Sequence, residues 1–202
     1  KSNAGEKLLE SEIAKKYRVS RTPVREAIFQ LEKEGYVTHK KDVGAVVKKI
    51  STQDIKETFE IIALLESYAA VRVTQSITAE GLSELLSQIK EMEKQVREKR
   101  YNDYIRSNVM FHKFFSERCG SETLLQVIKD LRRKVHRLLL VGLTVPKYVD
   151  HYLSVHRRIY EAIRQGDAEA AGTVMREHIE ENKNYILNEM HNMYSMGKST
   201  AG

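Results

Sequence analysis

The sequence predicts a mainly α-helical protein in two parts. A small winged helix-turn-helix domain, which consists of two helices and a β-hairpin, is expected at residues 5–50. An all-helical bundle of about six helices is expected at residues 53–195. Strand-like patterns occur only before residue 50, and apolar residues recur at helical spacing after it. The charge is uneven too: residues 1–50 hold 12 Lys or Arg against 7 Asp or Glu, out of 34 and 28 in the chain. A positive field concentrated in one part suits a nucleic-acid partner.

The first two helices are predicted from apolar spacing and from helix-breaking residues. Residues 8–17 carry apolar side chains at Leu9, Ile13, Ala14 and Tyr17, which is one face of a short helix. Residues 18–20 interrupt this pattern. Ser20 or Thr22 is expected to cap a second helix, with Pro23 in its first turn, where a missing N–H costs nothing. Gly35 is expected to end that helix, whose buried face is predicted at Val24, Ala27, Ile28 and Leu31.

A β-hairpin is predicted next, and only helices after it. Residues 36–38 and 45–47 read as two strands joined by a turn at residues 39–44. Ser51 or Thr52 is expected to cap the first helix of the bundle, and Thr78 the second. The remaining helices are predicted at about residues 101–118, 121–141, 147–165 and 167–195.

Cysteine content and hydropathy indicate a cytoplasmic protein. Cys119 is the single cysteine, which excludes an intrachain disulfide and a cysteine-rich zinc module. The apolar run at residues 138–143 is far shorter than the roughly 18 residues that span a bilayer. We therefore expect no membrane association.

The chemistry of DNA recognition can be read from residues 20–27. A recognition helix enters the major groove by its N-terminal end, so its contacts lie in the cap and first turns. Ser20 and Thr22 offer hydroxyls to phosphate beside the helix N-terminus, which itself attracts anions. Arg21 and Arg25 share one helix face, and either can fork onto guanine O6 and N7. The alternative for two such arginines is a solvated helix face.

Three strings in this region carry a family resemblance. Residues 9–14 (LESEIA), 19–27 (VSRTPVREA) and 31–35 (LEKEG) resemble the DNA-binding domain of the GntR family. The resemblance implies that Arg21, Thr22 and Arg25 contact operator DNA and that Gly44, at the wing tip, approaches the minor groove. It also implies a first helix before these segments, which we expect to be either truncated or unresolved in this chain.

Histidines of the second part form a candidate metal site. Asn108 and His112 are four residues apart on one predicted helix, and His156 and His178 lie on two others. Three histidines and an oxygen ligand from helices of a bundle can hold a borderline metal. The alternative is that each is an ordinary core or surface histidine.

A second resemblance concerns the helical part. Residues 54–66, 162–171 (AIRQGDAEAA) and 175–179 (MREHI) resemble the FCD effector domain of the FadR subfamily. It implies a metal, zinc foremost with nickel or manganese as alternatives, bound by Asn108, His112, His156 and His178. Two positions depart from the pattern, because Asn108 replaces the usual aspartate and Ile62 replaces a pocket arginine. The effector is then expected either to be less acidic than the organic acids usual for this family, or to be held by the metal and by Arg132, Arg133 or Arg137.

Together these features predict a DNA-binding transcriptional regulator and not an enzyme. We expect a repressor that binds operator DNA as a homodimer, since one recognition helix reads few base pairs, and that responds to a small molecule. A metal-dependent hydrolase using His112, His156 and His178 is the alternative. It lacks an evident general base and leaves the basic N-terminal motif unexplained. A protein-interaction module is a third hypothesis.

Overall fold

The computed structural model describes the backbone of residues 5–33, 35–48, 51–142 and 146–199. It describes their side chains except for 136–147 and 193–199. The chain divides into two compact units, Lys1–Asp54 and Ile55–Gly202. The first holds two helices and a hairpin and the second is helical throughout its described residues, which confirms the predicted fold class.

The N-terminal unit is a short helix pair followed by a two-stranded antiparallel hairpin. Its elements are α1 (Glu10–Tyr17), α2 (Arg21–Lys33), β1 (Val37–Lys40) and β2 (Gly44–Val47). Arg18 ends α1 in a left-handed conformation with φ of 56°, as expected for a break after Tyr17. Gly35 has φ of 78°, the conformation that glycine adopts most readily beyond a helix end. The small core joins both helices to the hairpin through Ala14, Val24, Ile28, Val37 and Ala45.

Two boundaries predicted for this unit were wrong. Helix α1 begins at Glu10 instead of Leu8, because the Leu8 N–H donates to the Ala45 carbonyl and residues 5–8 lie along β2. The turn of the hairpin is shorter than expected, since β1 continues to Lys40 and β2 begins at Gly44. Asp42 adopts φ of 62°, which lets three residues complete the turn.

The buried face of α2 is narrower than predicted. Val24 and Ile28 are buried, whereas Ala27 and Leu31 are exposed. The buried apolar contact of this helix with the rest of its unit is made by one turn-spaced pair, Val24 and Ile28. Periodicity identifies an apolar face, but only the packed neighbours decide how much of that face is covered.

The second unit contains six helices, as predicted. They are α3 (Thr52–Ser76), α4 (Ala79–Arg97), α5 (Tyr101–Arg118), α6 (Glu122–Gly142), α7 (Pro146–Arg164) and α8 (Ala168–Ser199). Ser51 caps α3 reciprocally with Asp54, and the Thr78 hydroxyl accepts from the Gly81 N–H at the start of α4. Both caps were among the predicted residues.

Aromatic and aliphatic side chains from all six helices fill the bundle. The largest buried side chains include Phe59 of α3, Phe111 and Phe115 of α5, and Tyr152 of α7. Within the described residues, no helix has both the length and the apolar character that crossing a membrane requires.

Candidate metal centre and nucleic-acid interface

Three histidines from three different helices meet inside the bundle. His112 of α5, His156 of α7 and His178 of α8 each offer one ring nitrogen, and these nitrogens lie within 4.8 Å of one another. All three residues are at most 3% exposed. The rings of His112 and His178 are stacked with centroids 5.3 Å apart, and Phe111 packs against His156 with centroids 4.2 Å apart. We call this group the three-histidine cluster.

The spacing of the ring nitrogens suits a metal. The Nε2 atoms of His156 and His178 are 3.2 Å apart. Two nitrogens bound to one tetrahedral zinc are separated by about 3.3 Å. The Nε2 of His112 is buried and has no hydrogen-bond partner among the described residues. A third donor is therefore available beside the pair, and the cluster can hold a metal ion.

A carboxylate behind the cluster fixes the orientation of His112. Glu66 of α3 is fully buried and its Oε2 lies 2.8 Å from Nδ1 of His112. Arg132 of α6 donates to both oxygens of the same carboxylate, at 2.5 and 2.6 Å. An ionised carboxylate can only accept, so Nδ1 of His112 carries the proton and Nε2 presents its lone pair. A carboxylate bonded to the far nitrogen of a histidine is the usual support of a metal ligand.

The pKa values of Glu66 and of the three histidines favour the protonation states that bind a metal. Burial alone raises the pKa of Glu66, but Arg132 and His112 outweigh it and lower the pKa to about 2. Burial lowers the pKa of His112, with Arg132 adding to the effect. Burial and the neighbouring histidines hold the pKa values of His156 and His178 well below the ordinary value. Neutral imidazoles are the species that coordinate metals.

The other predicted site residues of the bundle occupy varied positions. Asn108 is buried on α5, one turn before His112, on the face that carries the cluster. Ile62 is fully buried in α3, one turn before Glu66. The Nη1 of Arg133 lies 3.3 Å from Oδ1 of Asp130, one turn earlier on the same helix. The side chain of Arg137 is outside the described residues.

Glu66 is the site residue that sequence reasoning missed, although the sequence carried a signal. It falls on the apolar stripe of α3 that includes Phe59, Ile62, Ala69 and Val73. A carboxylate within such a stripe is buried, and a buried carboxylate needs a partner.

The predicted DNA contacts lie at the start of α2 and on the wing. Ser20, Arg21 and Thr22 are exposed, and α2 begins at Arg21. Arg25 is 72% exposed and forms a forked ion pair with Glu10 of α1, at 3.0 and 3.1 Å. Gly44 pairs with Lys40 at the end of the hairpin and has φ of 90°. The exposed N-terminal end of a helix suits entry into a major groove, where Arg25 would exchange Glu10 for a DNA partner.

Family models match both units of the chain. The model of the FCD domain matches residues 57–181, and that of the bacterial regulatory proteins of the gntR family matches residues 1–47. The chain belongs to the GntR-family regulators that carry an FCD domain. Both predicted resemblances are thereby confirmed, and the match over both units supports a DNA-binding transcriptional regulator over the hydrolase alternative.

Comparison with individual relatives and with a solved structure agrees with this family assignment. The HTH-type transcriptional regulator YdhC of Bacillus subtilis (strain 168) is 29% identical over 96% of this chain and 85% of its own. The gluconate operon transcriptional repressor of the same strain is 28% identical over 81% of this chain and 69% of its own. The solved structure of E. coli McbR/YncC has the same fold, with a TM-score of 0.78 at 18% identity, covering 93% of this chain and 90% of that one.

Proposed function

We propose that this regulator is a cytoplasmic repressor that binds palindromic operator DNA as a homodimer and releases it when its helical unit binds a small metabolite beside a divalent metal. The observation that carries the proposal is the buried three-histidine cluster within an FCD domain, on a chain whose other unit is a DNA reader. A metal ion in a closed helical core has a structural or sensing role that suits a regulator. The names of relatives such as the gluconate operon repressor support repression.

The proposed metal is zinc, bound by His112, His156 and His178 with the amide oxygen of Asn108 as a fourth donor. Nickel and manganese are the alternatives. An amide oxygen is a weaker ligand than a carboxylate, so an oxygen of the effector could displace it or bind as a fifth donor. Arg132, Arg133 and Arg137 are the proposed contacts for an acidic end of that effector. Arg132 would share its donors with Glu66, to which it already bonds.

DNA recognition is proposed to depend on Ser20, Arg21, Thr22, Arg25 and Gly44. DNA selected by the protein from a random pool should share a palindromic motif and should bind more tightly than random DNA. We expect Arg25→Ala to weaken binding to the motif about 5-fold or more, because a guanidinium on guanine contributes about 1–3 kcal/mol of discrimination. Arg106→Ala is the matched control, since Arg106 is 75% exposed and also pairs with a carboxylate. Equal losses in both variants, or no shared motif, would contradict the proposal.

Metal binding can be tested separately from DNA binding. The intact protein should bind one zinc ion per chain, and His178→Ala should abolish stoichiometric binding. His151→Ala is the control, because His151 lies on α7 but is half exposed and pairs with Glu181. Retention of one tightly bound zinc by His178→Ala would exclude the cluster as the site.

A further inference from the structure

A carboxylate lies among the side chains that are proposed to contact DNA. Glu10 is the first residue of α1, and Arg25 lies in the second turn of α2. The Nε and Nη2 of Arg25 donate to the two carboxylate oxygens of Glu10, at 3.1 and 3.0 Å. A guanidinium fork on two acceptor atoms is also how arginine binds the O6 and N7 of guanine. Glu10 therefore holds Arg25 in the same way that a base would.

The electrostatic surroundings place Glu10 on the face that is proposed to meet DNA. The pKa of Glu10 is lowered, chiefly by its hydrogen bonds with Arg25, while burial acts in the opposite direction. The positive charge of Arg25 adds to the lowering, as do those of Arg21 and of protonated His39. Arg21 begins α2, and His39 belongs to β1 of the wing. Glu10 is thus ionised at physiological pH, within reach of charges on both the recognition helix and the wing.

The stability of the fold gives little reason for this ion pair. The side chains of Arg25 and Glu10 are 72% and 33% exposed, and exposed ion pairs add little to stability because water screens them. The N-terminus of α1 favours an acidic side chain, but Glu12 supplies one in the same turn. The pair can therefore open at small cost, and its main effect is expected in DNA binding.

DNA favours the separation of these two side chains. Its phosphates attract the guanidinium of Arg25 and repel the carboxylate of Glu10. On a guanine, Arg25 exchanges one bidentate partner for another, and Glu10 is left without its partner in a negative field. The gain from the guanine contact is therefore reduced by the loss of the ion pair and by the repulsion of Glu10.

A different base at the same position leads to a different result. Arg25 then has no guanine to bind, but it need not remain unpaired, because Glu10 is still within reach. The mismatched complex retains the ion pair, whereas the matched complex has lost it. Glu10 thus weakens binding to the matched DNA more than binding to the mismatched DNA, and specificity is the difference between these two affinities.

We propose that Glu10 competes with DNA for Arg25 and makes the regulator tolerant of base changes at the operator position that Arg25 reads. This inference rests on the proposed function, because it presumes that Arg25 contacts a base of the operator. Glu10 is thus a residue that sets specificity without itself contacting DNA. It lowers both the affinity for the matched motif and the penalty for a mismatch at that position.

The test compares the wild-type protein with Glu10→Gln on matched and mismatched duplexes at one salt concentration. The base pair read by Arg25 is identified first, as the one whose replacement no longer affects the affinity of Arg25→Ala. We expect Glu10→Gln to bind the motif about 2- to 5-fold more tightly than wild type for each chain bound, the usual worth of an exposed ion pair. Replacing the identified base pair should weaken binding by Glu10→Gln about 2-fold or more beyond its effect on the wild type.

Two controls separate this competition from a general effect of charge. Glu12→Gln makes the same change in charge in the same helix, but Glu12 is two residues from Glu10 and faces another direction. It should change the affinity for matched and mismatched duplexes by the same factor. In the Arg25→Ala background, Glu10→Gln should have no larger effect than Glu12→Gln, because no guanidinium remains to compete for. Each variant should unfold at nearly the wild-type Tm.

Weaker binding of the motif by Glu10→Gln would overturn the inference, since Glu10 would then position Arg25 or contact a base. A mismatch penalty that is unchanged, or that Glu12→Gln raises equally, would also overturn it. These results are distinct from a failure of the proposed function. If Arg25→Ala binds the motif as tightly as wild type, the proposed base contact fails and the inference with it. If Arg25→Ala is weakened as expected but Glu10→Gln is not tighter, only the inference fails.

Discussion

A carboxylate buried as completely as that of Glu66 loses its hydration, at a cost of several kcal/mol. Two partners offset that cost: Arg132 donates to both oxygens, and His112 donates from Nδ1. The three side chains come from α3, α6 and α5, so the ion pair joins three helices at one point. Its consequence for function is that His112 is held in a single tautomer, with Nε2 directed to the cluster.

Glu66→Gln tests this support of His112. An uncharged amide is a weaker acceptor and leaves Arg132, whose side chain is only 17% exposed, without its counter-ion. We expect zinc affinity to fall about 10- to 100-fold, the usual effect of losing such support. Competition with a chromogenic chelator measures the affinity. The free energy of unfolding should also fall by about 3–5 kcal/mol, as for one broken partner of a buried pair.

Glu117→Gln is the matched control for this substitution. Glu117 pairs with Lys113 on the surface of α5, one turn beyond His112, and both side chains are about half exposed. Neither zinc affinity nor stability should change measurably in this variant. Zinc binding that survives intact in Glu66→Gln would show that the carboxylate has no part in holding the metal ligand.

The helices of the second unit were largely predictable from the sequence, because each is longer than four turns and has a sustained apolar stripe. The wrong boundaries occurred where the backbone of one segment forms hydrogen bonds with another segment. Leu8 joins β2 through its backbone instead of α1, and no local pattern encodes that choice. The meeting of His112, His156 and His178 was expected from family resemblance, since spacing over more than 60 residues fixes no distance. Glu66 could have been found from its position within an apolar stripe.

The contact between α3 and α8 depends on a glycine. A Cβ added at Gly172 would lie 2.7 Å from Cγ2 of Val71 and 3.3 Å from the Ser67 carbonyl oxygen. Alanine normally stabilises a helix interior by about 0.5–1 kcal/mol relative to glycine. For Gly172→Ala we expect the opposite sign, a loss of about 1–3 kcal/mol from overpacking, measured by urea unfolding.

Glu169→Ala is a suitable comparison in the same helix. Its side chain is exposed in the first turn of α8, so the substitution leaves the contact with α3 intact. Stability should change by less than about 0.5 kcal/mol. A stabilised Gly172→Ala protein would mean that α3 and α8 can separate freely, and that their close approach has no energetic weight.

At the scale of the whole molecule, the two units differ in charge as they differ in role. Nearly all of the net charge of +6 belongs to residues 1–50, which hold 12 basic and 7 acidic side chains. Each Lys or Arg placed on a phosphate releases a condensed counterion, so the logarithm of DNA affinity falls with the logarithm of salt concentration. The slope is about −0.9 for each phosphate neutralised.

This slope also reports the number of chains on the DNA. Lys41 is exposed in the turn of the wing, where a contact to phosphate would be sequence-independent. We expect Lys41→Ala to reduce the slope by about 1.8 in magnitude if two copies bind, against about 0.9 for one. Lys90→Ala, with the same change in net charge on the exposed face of α4, should leave the slope unchanged. A reduction of about 0.9 would contradict the proposed homodimer on DNA, and an equal reduction in both variants would mean that net charge, and not the wing, governs binding.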